Sequence, residues 1–236
     1  MSPATNEPQA RLDQLRADIF AQGRRVQAMV EASFDAMFAR DAEAATRAMA
    51  MDEEIDKVDV VIEQAAVGLL SDACKAGQSL EPAQVRSILT IVKVNNELER
   101  IADEGVAICQ EVAAFQACGP AVEPPRTFRV LANSVVGILR DCVGAMEKRD
   151  GKLAKVVLMS ETAVEEFKKS LVKDIQQQVA ARTMPLDEAS ALHDTAMLCV
   201  NIADHCTNIA EQVLYVATGT IVRHMDGRWE EIRLPG

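Results

Sequence analysis

Apolar residues recur at three-, four- and seven-residue steps along almost the whole chain, and one stretch interrupts them decisively. Leu12, Leu15, Ile19, Val26, Val30 and Met37 share one face of a helix running to about Arg40. Ile55, Val58, Ile62, Ala65 and Leu69 do the same in a helix from about Asp41 to just before Gly77. Ile88, Ile91, Leu98, Ile101, Ile108 and Val112 mark a third, opened by Ser79 and Pro82. Further helices are expected over about 127–148 and 152–182, after the Asp150-Gly151 turn, and from Pro185 to about Gly219. A helix of 30 residues is about 45 Å long. It can bury its stripe only against other helices, which implies elongated up-down-up bundles. Composition agrees: aromatics are 3%, with 11 Gly and 8 Pro in 236 residues, too few for a turn-rich sandwich or barrel.

The interruption is Cys118-Gly-Pro-Ala-Val-Glu-Pro-Pro125. Prolines remove backbone donors and disfavour helix before them, so this reads as a linker. It divides the chain into a first unit over 1–118, a linker over 119–126, a second unit over 127–219 and a tail over 220–236 holding Trp229. The units resemble each other. Ile101, Ala102, Asp103 and Ile108 recur 101 residues later as Ile202, Ala203, Asp204 and Ile209. The fold expected is therefore all-α, two tandem antiparallel three-helix bundles related by internal duplication.

The net charge of −11 repels phosphodiester backbones and argues against nucleic acid as a partner. Cys74, Cys109, Cys118, Cys142, Cys199 and Cys206 include no C-x-x-C pair, and most sit where a small apolar residue would, so reduced thiols are expected. No apolar run reaches the roughly 18 residues of a membrane span. The segment MSPATNEPQA has neither a basic n-region nor an apolar h-region, so a cytoplasmic protein is expected.

Acidic residues four apart share a helix face. Asp52 with Asp56, Glu99 with Asp103, and Glu161 with Glu165 have this spacing; Val200 and Asp204 hold the place of the second pair in the second half. Four carboxylates converging from two helices repel unless protonated or bridged by a cation, and hard oxygen donors suit Mg²⁺, Ca²⁺, Mn²⁺ or iron. A helical wheel turns these groups outward, which fits a surface cation site and a solvated acidic face alike. His205, beside Asp204, is placed on the same outer face. Neither a nucleophile elbow, nor a P-loop, nor an Arg-clustered phosphate cradle is visible, so covalent catalysis has no support.

Leu98-Glu-Arg-Ile-Ala-Asp103, Ile202-Ala-Asp-His205, Asn208-Ile-Ala-Glu211, Asp52-Glu-Glu-Ile-Asp56 and the closing Tyr215-Val-Ala-Thr-Gly219 with Val222-Arg-His224 resemble the PhoU family over essentially the whole chain. The resemblance implies a two-repeat helical cytoplasmic protein, commonly a homodimer. It implies a non-enzymatic negative regulator of the phosphate-starvation response, in contact with a phosphate ABC-transporter ATPase and a phosphate-sensing histidine kinase. It further implies surface metal clusters, iron among them, with Mg, Mn or Zn as alternatives, at Asp52, Asp56, Glu99 and Asp103 and at Glu161, Glu165 and Asp204. The chain departs from the family pattern at Cys199-Val200-Asn201, where Leu-Glu-Arg is usual, and at Glu104, where His is usual. The competing readings are a metal-carboxylate enzyme or metal store of ferritin-like type, and a generic helical adaptor.

Overall fold

The computed structural model describes residues 7–117, 123–219, 221–225 and 228–232. Seven helices and a hairpin run in chain order among these residues: α1 (Glu7–Ala39), α2 (Ala42–Met49), α3 (Asp52–Lys75), α4 (Pro82–Ala117), α5 (Arg126–Lys148), α6 (Gly151–Ala180), α7 (Leu186–Thr218), β1 (Ile221–Met225) and β2 (Arg228–Ile232). The stripes read from periodicity are the core: Leu12, Ile19, Val26, Ile55, Ile62, Leu98, Ile101 and Ile108 are buried. Ala65 is exposed and its neighbour Ala66 takes the buried place. Cys118 and most of the Pro-rich linker lie outside the described residues; Cys109, Cys142, Cys199 and Cys206 are buried free thiols, and Cys74 is exposed.

The single helix expected from Asp41 to before Gly77 is two. Around Ala50 and Met51 the ladder tightens: Met51 N–H bonds the carbonyl of Ala48 and Glu54 N–H that of Met51, both three residues apart. The chain then restarts with Asp52, Glu53 and Glu54 in the first turn of α3. Carboxylates there are favoured by the positive end of the helix dipole, so the acidic run suits a new N-terminus better than a helix interior.

The duplication is legible in the turns. Arg40 and Arg149, 109 residues apart, adopt left-handed φ values of 52° and 50°. Each is followed by an aspartate whose N–H bonds a carbonyl five residues back, Ala36 for Asp41 and Ala145 for Asp150, both at 3.0 Å. Asp41 and Asp150 then cap α2 and α6 through their carboxylates.

The bundles do not hang apart on a linker. α4 lies along α7, α1 also touches α5, and the buried side chains form one continuous core. A buried ion pair crosses the junction. Arg40 Nη2 donates to Glu188 Oε1 at 2.5 Å, with side chains 15% and 1% exposed. The same guanidinium donates to the Phe115 carbonyl at 2.8 Å and stacks 4.9 Å above the Phe115 ring. At the chain end, Gly219 (φ 73°) closes α7, and β1 pairs antiparallel with β2, Ile221 opposite Ile232. Among the described residues no helix is long and apolar enough to cross a membrane.

Candidate functional site

On α3 the spacing of Asp52, Asp56, Asp59 and Glu63 places four carboxylates on one side of the helix. α4 packs beside α3 and adds Glu99 and Asp103. The register across this pair is set by Asn95, 3% exposed, whose Nδ2 donates to the Asp59 carbonyl at 3.0 Å and to Asp59 Oδ1 at 2.6 Å. With the helices held so, Asp52 comes under the influence of Asp103, and Glu99 under that of Asp59 and Asp56. The four first-half residues singled out from sequence thus share one face, and Asp59 joins them. Its place three residues after Asp56 was a visible signal; that it faces α4 was not.

The face carries electrostatic strain. Burial, then Asp56 and Asp103, push the Asp52 carboxyl above its ordinary value. Burial, then Asp103, Asp59 and Asp56, do the same to Glu99, and burial with Glu63 and Asp56 to Asp59. One oxygen of Asp52, Oδ1, is buried without a hydrogen-bond partner among the described residues. The donors are all hard oxygens, and an orphaned carboxylate oxygen within them is what a multivalent cation would satisfy. No group of three or more His, Cys, Asp or Glu that could hold a metal ion is present among the described residues, so a cation would have to draw the face together.

The second half differs. By the 109-residue relation, Glu161 and Glu165 occupy the places of Asp52 and Asp56, and Lys168 that of Asp59. Lys168 Nζ lies 2.9 Å from Glu165 Oε1. Val200, buried, stands where Glu99 does. Burial and Glu165 raise the Asp204 carboxyl, against the charges of His205 and Lys168. An ammonium already provides countercharge to Glu165 here, and this face offers fewer carboxylates than the first.

His205 is not on the outer face. It is half-buried in the α4–α7 seam, with Nδ1 2.7 Å from Glu97 Oε2, and Asn208 donates to the same oxygen at 3.1 Å. α7 is covered by α4, α5 and α6 together, so little of its circumference is left outward. Burial raises Glu97, but the hydrogen bonds from His205 and Asn208 and the charges of His205 and Arg100 outweigh it and leave the carboxyl below its usual value. Asn201 donates to Glu104 at 3.0 Å in the same seam.

Comparison with known proteins follows this geometry. The PhoU domain model matches residues 21–112 and 128–213, inside each bundle. The phosphate-specific transport system accessory protein PhoU homolog of Pseudomonas putida is 27% identical over 219 residues, 92% of this chain and 82% of that protein. The accessory protein PhoU of Escherichia coli (strain K12) is 25% identical over 225 residues, 92% of this chain and 88% of that one. The crystal structure of the phosphate transport system regulatory protein PhoU from Streptococcus pneumoniae superposes with a TM-score of 0.81 at 18% identity, covering 92% of this chain and 100% of that one. That of PhoU from Pseudomonas aeruginosa gives 0.82 at 22%, covering 90% and 99%. With both helical repeats matched by one model and their arrangement shared with solved members, the chain belongs to the PhoU family.

Proposed function

We propose that this chain is a regulator of phosphate transport that acts by contact with other proteins and catalyses nothing. The observation that carries this reading is the match of the family model to both repeats, joined to relatives named as accessory proteins of phosphate-specific transport. In this reading the partners are the ATPase of a phosphate ABC transporter and a phosphate-sensing histidine kinase. The chain works as a homodimer in the cytoplasm, and the outcome is repression of uptake genes in phosphate-rich medium.

The acidic face of α3 and α4 is the cation-dependent part of the proposal. Asp52, Asp56, Asp59, Glu99 and Asp103 would hold a multivalent cation, which supplies positive charge to carboxylates that otherwise repel. A ferritin-like enzyme is disfavoured because such sites project into a bundle core, whereas Asp56 and Asp103 are exposed.

The test is deletion of the gene in cells carrying a phosphate-starvation reporter. The reading expects the reporter to switch on in high phosphate, and complementation to silence it. A reporter that stays silent after deletion overturns it. Co-purification with the transporter ATPase separates this function from that of a generic helical adaptor.

A further inference from the structure

The ion pair of Arg40 with Glu188 has an incomplete counterpart in the other half of the molecule. Arg149 repeats Arg40, with the same left-handed backbone and the same following aspartate. α4 and α7 are unbroken helices, so the 101-residue relation holds along them, and the residue matching Glu188 is Ser87. The residue matching Phe115 is Val216, and Met37 is matched by Met146 at the 109-residue spacing. Ser87, Met146, Arg149 and Val216 all line one cavity, together with Arg16 and Thr90. The first half's arginine therefore meets a buried carboxylate and an aromatic ring. The second half's arginine lines a cavity whose other walls offer a hydroxyl and a valine at the matching places.

The polar groups around this space are unbalanced toward anion binding. Arg149 makes no side-chain hydrogen bond or ion pair among the described residues. Burial, and Arg16 beside it, hold its guanidinium below the usual arginine value, against a smaller opposing effect of Asp13. Arg16 donates to Ser87 Oγ at 2.9 Å and pairs with Asp13 at 2.7 Å. Among the described residues, Asp13 is the carboxylate whose charge acts on Arg149. Thr90 is 8% exposed, and its hydroxyl is buried without a partner among the described residues. Such a group is rarely left unsatisfied without a reason. The cavity volume is ≈ 60 Å³. On that measure one water takes about 10–15 Å³, so the space suits a small ion and excludes a nucleotide. The rest of the wall, Ile19, Phe20, Ile91 and Val94 among it, is apolar and strengthens any charge pairing inside.

We propose that this cavity between α1, α4, α5 and α7 binds a small oxyanion, seated where the carboxylate equivalent to Glu188 is missing and held by Arg149, Arg16 and the Thr90 hydroxyl. Inorganic phosphate and a short carboxylate share the headgroup chemistry required. Because the walls come from both repeats, occupancy would brace their junction as Glu188 braces the other side. The site is independent of the acidic face and of the proposed regulatory role.

The experiment is calorimetric titration of the full chain with sodium phosphate and with sodium acetate, at matched ionic strength against chloride, with thermal melting in parallel. Saturable binding of one or both with a rise in Tm is expected; phosphate alone would mark a tetrahedral oxyanion and acetate alone a carboxylate. Arg149→Met, at an exposed position, should weaken binding by about tenfold or more, the scale of a lost charge-assisted contact. Ser87→Glu should supply the absent carboxylate internally, raising Tm without added anion and abolishing anion binding. Absence of saturable binding to the native chain overturns the proposal. So does binding that is unchanged in both variants, or unchanged in Arg149→Met if Ser87→Glu does not fold.

Discussion

Asn201 Nδ2 donates to Glu104 Oε1 at 3.0 Å, across the seam between α4 and α7. At the 101-residue spacing Glu104 is matched by His205 and Asn201 by Arg100, so neither residue repeats in the other half. The contact ties the two repeats together at the surface where they meet. Burial raises the Glu104 carboxyl while the Asn201 hydrogen bond opposes it.

This pairing is expected to be worth about 1 kcal/mol, the usual net value of an intramolecular hydrogen bond. Urea melts of Asn201→Ala, Glu104→Gln and the double variant should give a coupling energy of that size. A coupling near zero would mean the contact is incidental.

Removing one partner of the Arg40–Glu188 pair should be far more damaging. Glu188 is 1% exposed, so Arg40→Met strands a carboxylate in the core. The cost is expected to be about 3–5 kcal/mol, with Glu188→Gln losing less because the amide still accepts a hydrogen bond. Guanidinium denaturation of the variants measures both.

The acidic face should make stability depend on pH with a specific sign. Asp52 has a folded pKa above its ordinary 3.8, so the folded chain holds that proton more readily than the unfolded one. Its unfavourable contribution is fully present at neutral pH. It fades as pH falls through the raised folded value toward 3.8. Glu97 acts oppositely: its contribution is present above its ordinary 4.5 and is lost as pH falls through its lower folded value. Asp52→Asn should therefore raise Tm at pH 7 by about 1–3 °C, an amount kept small by partial solvent screening. The gain should vanish on acidification. A lower Tm for Asp52→Asn at pH 7 would contradict the account.

The two repeats should differ in cation response. The first presents Asp52, Asp56, Asp59, Glu99 and Asp103, whereas the second presents Glu161, Glu165 and Asp204 with Lys168 already paired to Glu165 and Val200 in place of an acid. Calorimetric titration with Mn²⁺ or Fe²⁺ is expected to show one binding phase, lost in Glu99→Ala with Asp103→Ala and little changed in Asp204→Ala. Lys168→Asp should create a second phase. The reverse order of effects would refute this ranking.

Periodicity located the helices because a stripe at 3.6 residues is a local property of the chain: it states which face is buried without reference to what covers it. For the same reason Leu12, Ile62 and Ile108 were legible as core, and Asp52 with Asp56 and Glu99 with Asp103 as outward pairs. The acidic first turn at Asp52 already marked a helix start, yet no Gly or Pro between Asp41 and Asp52 announces the break. What periodicity cannot carry is the partner of a face and the register between helices. Asp59 joins the carboxylates only because Asn95 fixes α3 against α4. His205 turns inward because α7 is covered on three sides, so a wheel drawn for one buried face misplaces it. Arg149 shares a cavity with Ser87, where its counterpart meets a glutamate, only because the junction of the repeats brings them together. These are long-range pairings, fixed when four helices from two repeats close one core, and only the tertiary structure decides them.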